Sequence, residues 1–134
     1  MKRTNPFPSV SILLPDDIVE DNDSTVASYW MAGDSCLLQI SSFLREREPQ
    51  FSAAQRLSER MEAGGEWKTF KLPQEIPGCE TAAALTTDTQ GVCWIHVYLV
   101  WGWLAVHATV SQRGEPTTCD WAWNSLASIR PTVI

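Results

Sequence analysis

The stretch from Cys93 to Val110 constrains the fold more than any other part of this sequence. It reads CWIHVYLVWGWLAVHATV and contains eighteen residues without a Lys, Arg, Asp or Glu. Its length lies at the lower limit for a membrane-spanning helix. However, ten of its eighteen residues are Trp, Ile, Val, Tyr or Thr, which favour β-strands, and it carries a glycine near its centre. We therefore predict two antiparallel strands joined by a tight turn, and no membrane insertion.

The pairing of these two strands follows from the position of the turn. With Trp101 and Gly102 as turn residues, Val100 would pair with Trp103 and His96 with His107. Side chains alternate along a strand, so one face of the hairpin is apolar and should be core. That face carries Ile95, Val97, Leu99, Leu104, Val106, Ala108 and Val110. The opposite face, with Trp94, His96, Tyr98, Trp103, Ala105, His107 and Thr109, is aromatic and polar and is the candidate binding surface.

The chain as a whole has the size and composition of one globular domain, residues 1–134. Its net charge of −6 opposes nucleic-acid binding, which requires a basic surface, and permits a basic protein partner. Near the N-terminus the apolar run VSILL is short and flanked by prolines, unlike a signal peptide. We therefore expect a cytoplasmic protein.

The four cysteines are widely separated along the chain, and no CxxC pair is present. They are Cys36, Cys79, Cys93 and Cys119. This spacing lacks the pattern of a zinc site, while disulfides remain formally open because the number is even. In a reducing compartment buried thiols are favoured over disulfides, so we expect four free cysteines.

The remaining sequence predicts three strands, a helix, about four strands and a closing helix. The first strand is Ser9 to Pro15, followed by the acidic connector DDIVEDND and by strand-like runs at 24–33 and 35–44. Ser52 and Gln55 form a capping box for a helix at 52–63, with Ala54, Leu57 and Met61 as its buried stripe. Strands at 66–72 and 79–88 precede the hairpin.

The closing helix is predicted at 118–130, capped by Thr117 or Thr118 and stopped by Pro131. Its buried stripe is Ala122, Leu126 and Ile129, while Trp121 and Trp123 should point elsewhere. We therefore predict an α+β fold: an antiparallel sheet of about six or seven strands packed with two helices.

This element order, together with the closing pattern WNSLASIRP, resembles the PsbP-like α/β sandwich superfamily over about Ser9 to Pro131. The superfamily includes photosystem extrinsic subunits, a Ran-binding nuclear import factor and bacterial chaperones that accompany type VI secretion effectors. Its members share the binding of protein partners. The resemblance therefore implies a protein-binding function and transfers no functional residue.

No catalytic, metal or cofactor site is predicted from the motifs. His96 and His107 supply only two ligands, so we expect hydrogen-bonded histidines on a half-buried sheet and not a metal centre. No nucleophile signature or phosphate-binding glycine motif is present. The run Asp21, Asp23 and Thr25 imitates the start of a calcium loop, but Val26 and Ala32 occupy its required glycine and glutamate positions. We therefore predict that the protein is not an enzyme.

Two features indicate a protein partner instead. Seven tryptophans exceed what a core of this size needs, and tryptophan is enriched at interface hot spots. Five carboxylates lie within eight residues, at Asp16, Asp17, Glu20, Asp21 and Asp23, and can steer a basic partner. We expect the interface to comprise these carboxylates with Trp94, His96, Tyr98, Trp103 and His107.

The function predicted from these features is that of a bacterial immunity protein, which binds a cognate secreted toxin and blocks its active site. A type VI secretion effector chaperone is the first alternative, and the partner would then be the effector. A small hydrolase or ligand carrier using His96 and His107 is the second. The oligomeric state stays open.

Overall fold

The computed structural model describes residues 1–44, 52–102, 104–113 and 119–132. Within them lie ten strands and two helices. The strands are β1 (Lys2–Phe7), β2 (Val10–Leu14), β3 (Ile18–Asn22), β4 (Ala27–Met31), β5 (Leu37–Leu44), β6 (Lys68–Thr69), β7 (Glu80–Thr87), β8 (Val92–Trp101), β9 (Leu104–Arg113) and β10 (Arg130–Pro131). The helices are α1 (Ala53–Met61) and α2 (Asp120–Ala127).

Seven of these strands form the main antiparallel sheet, in the order β3-β4-β5-β9-β8-β7-β6. A second, small sheet has the order β1-β2-β10. The α+β fold class with a seven-stranded antiparallel sheet and two helices is therefore confirmed. Of the small sheet, only strand β2 was predicted. Proline argues against a strand, so Pro6 and Pro8 concealed β1 in the sequence, and β10 is only two residues long.

The core lies between the main sheet and a layer made by α2 and β2. The apolar hairpin face that the sequence predicts is buried, since Val97, Leu99 and Leu104 have no exposed area. From the opposite layer come Val10, Ile12 and Leu14 on β2, Ala122 and Leu126 on α2, and Ile129 just after the helix, all fully buried in the same cluster. We call the side of the main sheet that faces this core the inner face, and the opposite side the outer face.

The hairpin register differs from the predicted one by two positions. Trp101 pairs with Leu104, so the turn lies one residue later than predicted, and Gly102 opens it with a φ of +42°. A glycine with positive φ is favoured at the first position of a two-residue hairpin turn. His96 therefore pairs with Thr109, and His107 with Tyr98. Because the shift is even, each side chain stays on its predicted face.

The acidic segment predicted as a connector contains a strand instead. Its residues Ile18–Asn22 form β3, which pairs with β4 at one edge of the main sheet. Asp and Glu disfavour strands, and here the ladder to β4 overrides that local preference. Charged side chains on an edge strand also resist pairing with other chains. The segment is therefore a charged sheet edge.

Helix α1 begins as predicted, with the Ser52 hydroxyl accepting a hydrogen bond of 3.0 Å from the Gln55 backbone N–H. The helix ends at Met61, two residues earlier than predicted. Its buried side chains are Ala53 and Leu57, whereas Ala54, predicted to be buried, is exposed. The predicted buried stripe therefore began at Ala54, one residue after the residue that is buried, Ala53.

Helix α2 is shorter than predicted, because the chain leaves the helix after Ala127 and residues 130–131 pair with β2. Cys119 is its N-cap residue, and the predicted caps Thr117 and Thr118 lie outside the described residues. Trp123, predicted to point away from the core, is 3% exposed and stacks on Phe70 with ring centroids 5.5 Å apart.

Two of the four cysteines form a disulfide, contrary to the expectation of free thiols. Cys36 and Cys119 are both buried and bonded to each other across 83 residues of sequence. The bridge links the β4–β5 connection to the start of α2. Spacing could not predict it, since only the packing of α2 on the sheet brings the two residues together.

No helix in the described ranges of the chain is long and apolar enough to span a membrane.

Candidate functional site

The outer face of the main sheet carries the side chains predicted to bind a partner. Directly paired residues share a face, so the register defines rows that cross the sheet. The row that we call the aromatic row consists of Val19, Trp30, Leu37, Ser111, Trp94 and Thr86. The adjacent polar row consists of Asp21, Ser28, Gln39, Thr109, His96 and Ala84. Beyond it, Ser41, His107 and Tyr98 occupy a third row.

Helix α1 covers one end of this face. Ala53 and Leu57 pack on Tyr98, Val100 and Ala105 in a cluster separate from the main core. The Glu80 carboxylate also accepts a hydrogen bond from the Ala53 N–H at the start of the helix. The aromatic row lies two rows from this contact and includes partly exposed large side chains. The sheet therefore has a covered end and an open end.

Between the two ends lies a cluster of aromatic rings. His96 Nδ1 and His107 Nε2 are 3.0 Å apart, within hydrogen-bonding distance. The Tyr98 ring stacks on His107 with centroids 4.6 Å apart, and Trp67 meets His96 edge-on at 5.2 Å. The predicted direct pairing of the two histidines was wrong, yet their diagonal positions still bring the rings into contact.

Both histidines are held in the neutral form. Burial lowers the pKa of His96 to about 4 and that of His107 to about 3. The Arg60 guanidinium, whose Nε donates a hydrogen bond of 2.6 Å to Tyr98 Oη, lowers both values further. A neutral pair shares one proton, so one imidazole donates and the other accepts.

The open end presents large apolar and aromatic side chains to solvent. Val19 is 38% exposed, and Trp30, Leu37 and Trp94 are half-buried. The Trp94 indole N–H donates a hydrogen bond of 3.1 Å to the Asp88 carboxylate, which lowers the pKa of Asp88. The aromatic row therefore ends beside a carboxylate that stays ionised.

The five predicted acidic residues do not converge on one site. Asp16 pairs with the N-terminal ammonium group at 2.9 Å, and Asp23 accepts backbone hydrogen bonds from Thr25 and Val26 in a tight turn. Those turn hydrogen bonds lower the pKa of Asp23. Along β3, Glu20 and Asp21 point to opposite faces of the sheet because side chains alternate. Of the five, Asp21 belongs to the outer face and to the polar row.

The sequence-predicted residues Trp94, His96, Tyr98 and His107 therefore share one face, as expected, while Trp103 lies outside the described residues. Sequence reasoning missed Trp30, Leu37 and Val19. The available signal was the alternation along β4 and β5, which places Trp30 and Leu37 opposite the buried Tyr29 and Leu38. Val19 was missed because its segment had been interpreted as a connector.

Within the described part of the chain, no group of three or more His, Cys, Asp or Glu side chains is arranged to hold a metal ion. The two histidines offer two nitrogen atoms, and the neighbouring Arg60 charge opposes a cation there.

No protein-family model matches this sequence, and no curated protein matches it. Among solved structures, the chain is similar to a crystal structure of a protein from Bacteroides thetaiotaomicron VPI-5482, with a TM-score of 0.63 and 14% sequence identity. The match covers 92% of this chain and 45% of that protein, so this chain spans about half its length. At this identity the likeness shows the fold alone. None of these findings bears on the PsbP-like resemblance, which stays a prediction.

Proposed function

We propose that this chain is a non-catalytic protein-binding protein of the immunity type, and that its interface is the open end of the outer face. The observation that carries the proposal is the aromatic row, which crosses six strands and leaves Trp30, Leu37 and Trp94 partly exposed. Tryptophan side chains of this kind bury a large area at low entropic cost and dominate many protein interfaces.

The charge around this surface supports a basic partner. The chain carries a net charge of −6, and Asp21 and Asp88 lie at opposite ends of the exposed rows. Carboxylates at the margin of an interface accelerate the encounter with a cationic surface, while the aromatic contacts slow dissociation. A secreted toxin with a basic active-site cleft has this complementary character.

The chemistry of the histidine pair favours binding over catalysis. A general base works best with a pKa near the operating pH, and here burial lowers the pKa of His107 to about 3. The rings of the pair also contact Tyr98 and Trp67. We expect the double variant His96→Gln/His107→Gln to retain partner affinity when folded.

The compartment is part of the proposal. The sequence predicts the cytoplasm, but the buried Cys36–Cys119 disulfide favours an oxidising compartment such as the bacterial periplasm. A toxin encountered there would be neutralised after it enters the cell envelope.

The proposal is tested by titration calorimetry against the toxin domain encoded next to this chain's gene. An immunity gene normally follows its toxin gene, whereas a secretion chaperone gene normally precedes its effector gene. Trp30→Ala and Trp94→Ala should each weaken binding by about 2–4 kcal/mol, which is roughly 30-fold to 1,000-fold in Kd. Trp121→Ala is the matched control, since this indole contacts Asp34 away from the outer face.

The second measurement, of association rates, distinguishes the effect of charge from that of the aromatic contacts. Asp21→Lys should slow association and reduce its dependence on ionic strength, whereas Glu59→Lys on the exposed side of α1 should not. Unchanged affinity in both outer-face Trp variants, or equal losses in Trp121→Ala, would contradict the proposed interface.

A further inference from the structure

A small pocket on the outer face adjoins the histidine pair. It has a volume of about 160 Å³ and is lined by Val26, Gln39, Ile40, Ser41, His107 and Thr109. The pocket exists because Gln39 pairs with Thr109 and Ser41 pairs with His107 across β5 and β9. Side chains of paired residues point to the same side, so four polar groups converge there. This volume is smaller than the roughly 300–1,000 Å³ of most small-molecule pockets, so the pocket suits a single ring-sized molecule.

The polar groups of this pocket are all uncharged. Gln39 provides an amide, Ser41 and Thr109 provide hydroxyls, and His107 provides an imidazole. Burial keeps that imidazole neutral by lowering its pKa to about 3. No lining residue therefore offers a cation for a phosphate or carboxylate. Asp21, two strands from Gln39 in the same polar row, opposes the binding of anions.

The histidine pair lets His107 adapt to its ligand. His107 Nε2 faces His96 Nδ1 at 3.0 Å, and His107 Nδ1 makes no hydrogen bond with any residue that the structure describes. If His96 donates the shared proton, His107 carries its own proton on Nδ1, which is then a donor. If His107 donates, its Nδ1 becomes an acceptor. A ligand hydroxyl, which both donates and accepts, is satisfied by either arrangement.

We propose that this pocket binds one ring of a neutral, hydroxyl-rich small molecule, which identifies a sugar as the ligand class. The hydroxyl groups of the ring would bond to Ser41, Thr109 and His107 Nδ1. Trp30 lies diagonally across from Gln39, roughly 7–8 Å away, and its flat indole would pack on the apolar face of a second ring. The inference does not depend on the protein partner proposed above.

The test is an NMR titration of the isotope-labelled full chain with glucose, galactose and N-acetylglucosamine, and with glucose 6-phosphate as the charged comparison. We expect saturable shifts at the backbone amides of residues 39, 41, 107 and 109, with a Kd in the roughly millimolar range for so small a ligand. The neutral sugars should bind more tightly than glucose 6-phosphate. The proposal would be overturned if these residues showed no saturable shift at sugar concentrations up to about 100 times the expected Kd.

Variants test the residues named. Thr109→Val keeps the side-chain shape but removes the hydroxyl, and should raise the Kd about tenfold, as should Ser41→Ala. Thr86→Val is the matched control because it makes the same change in the aromatic row. Unaltered affinity in both pocket variants, or an equal loss in Thr86→Val, would contradict the assignment.

A third readout needs no variant. Long-range proton–nitrogen spectra of the imidazole rings report which nitrogen of His107 is protonated, and saturating sugar should shift the resonance of His107 Nδ1. An unchanged Nδ1 resonance in a protein that binds the sugar would place the ligand elsewhere. The sugar titration with Trp94→Ala should match the wild type, so its outcome is separate from that of the protein interface.

Discussion

At the scale of single residues, the histidines show how burial changes the chemistry of a side chain. Imidazole has an ordinary pKa of 6.5 and is often protonated in mildly acidic solution. Here burial and the Arg60 charge favour the neutral form of both rings, which then share one hydrogen bond. The pair therefore contributes hydrogen bonding, not charge, to the outer face.

This state of the histidines predicts how stability depends on pH. Well above pH 6.5 the rings are neutral in both the folded and the unfolded chain, so they cause no pH dependence there. Below pH 6.5 the unfolded chain binds protons that the folded chain does not, until the folded pKa values of about 4 and 3 are reached. We expect the free energy of unfolding to fall by about 1–3 kcal/mol between pH 7 and pH 5, after allowing for solvent screening. Urea denaturation at a series of pH values measures it.

The double variant His96→Gln/His107→Gln provides the control. It should remove most of the pH dependence of the unfolding free energy between pH 7 and pH 5. The carboxyl pKa values of Asp23 and Asp88 are lowered below 3.8, so these groups titrate below pH 5. An unchanged slope in the variant would show that other groups are responsible.

At the scale of elements, α1 is a helix that the rest of the fold must hold in place. Nine residues are too few for a stable isolated helix, and only Ala53 and Leu57 are buried. Polar contacts between described residues add to this packing. Among them are the Ser52 cap, the Glu80 carboxylate at the first turn and the hydrogen bond between Arg60 and Tyr98.

Removing the cap tests this dependence. Ser52→Ala loses the acceptor for the Gln55 N–H, and we expect a destabilisation of about 1 kcal/mol. Ser58→Ala makes the same change at an exposed position inside the helix and should be neutral or slightly stabilising. Chemical denaturation measures both, and hydrogen exchange should show faster opening of α1 in Ser52→Ala alone. Equal effects of the two substitutions would contradict the role of the cap.

At the scale of the whole molecule, a disulfide and a side-chain hydrogen bond join the β4–β5 connection to α2 and the residue before it, beside the apolar core. The Cys36–Cys119 disulfide connects the β4–β5 segment to the first residue before α2, and the Trp121 indole donates a hydrogen bond of 2.8 Å to Asp34 in the same region. Both links act between parts of the chain that are far apart in sequence.

The disulfide should contribute substantially to stability, because it constrains an unfolded chain across 83 residues of separation. We expect Cys36→Ala/Cys119→Ala to lose about 2–5 kcal/mol of unfolding free energy. Cys79→Ala is the control at a half-buried cysteine whose thiol pKa burial raises to about 11. Urea denaturation with and without reductant measures the effect, and mass spectrometry after thiol labelling should find two reactive thiols in the unfolded, unreduced protein. Finding four would contradict the bridge.

The sequence alone determined the features that depend on local periodicity. The alternation along residues 93–110 predicted the hairpin and its buried face, and Ser52 with Gln55 predicted the start of α1. The stripe of Ala122, Leu126 and Ile129 predicted which side of α2 faces the core. Each of these signals lies within a few residues, where alternation, helical spacing and capping act directly on the chain.

The tertiary structure decided the features that depend on distant partners. Pairing with β4 made a strand of the acidic segment at Ile18–Asn22, and the docking of α2 brought Cys36 to Cys119. The same packing buried Trp123 and left Trp30 and Trp94 on the open face, although all three are the same residue type. A side chain's exposure is set by whichever element covers its face, and that element comes from elsewhere in the chain.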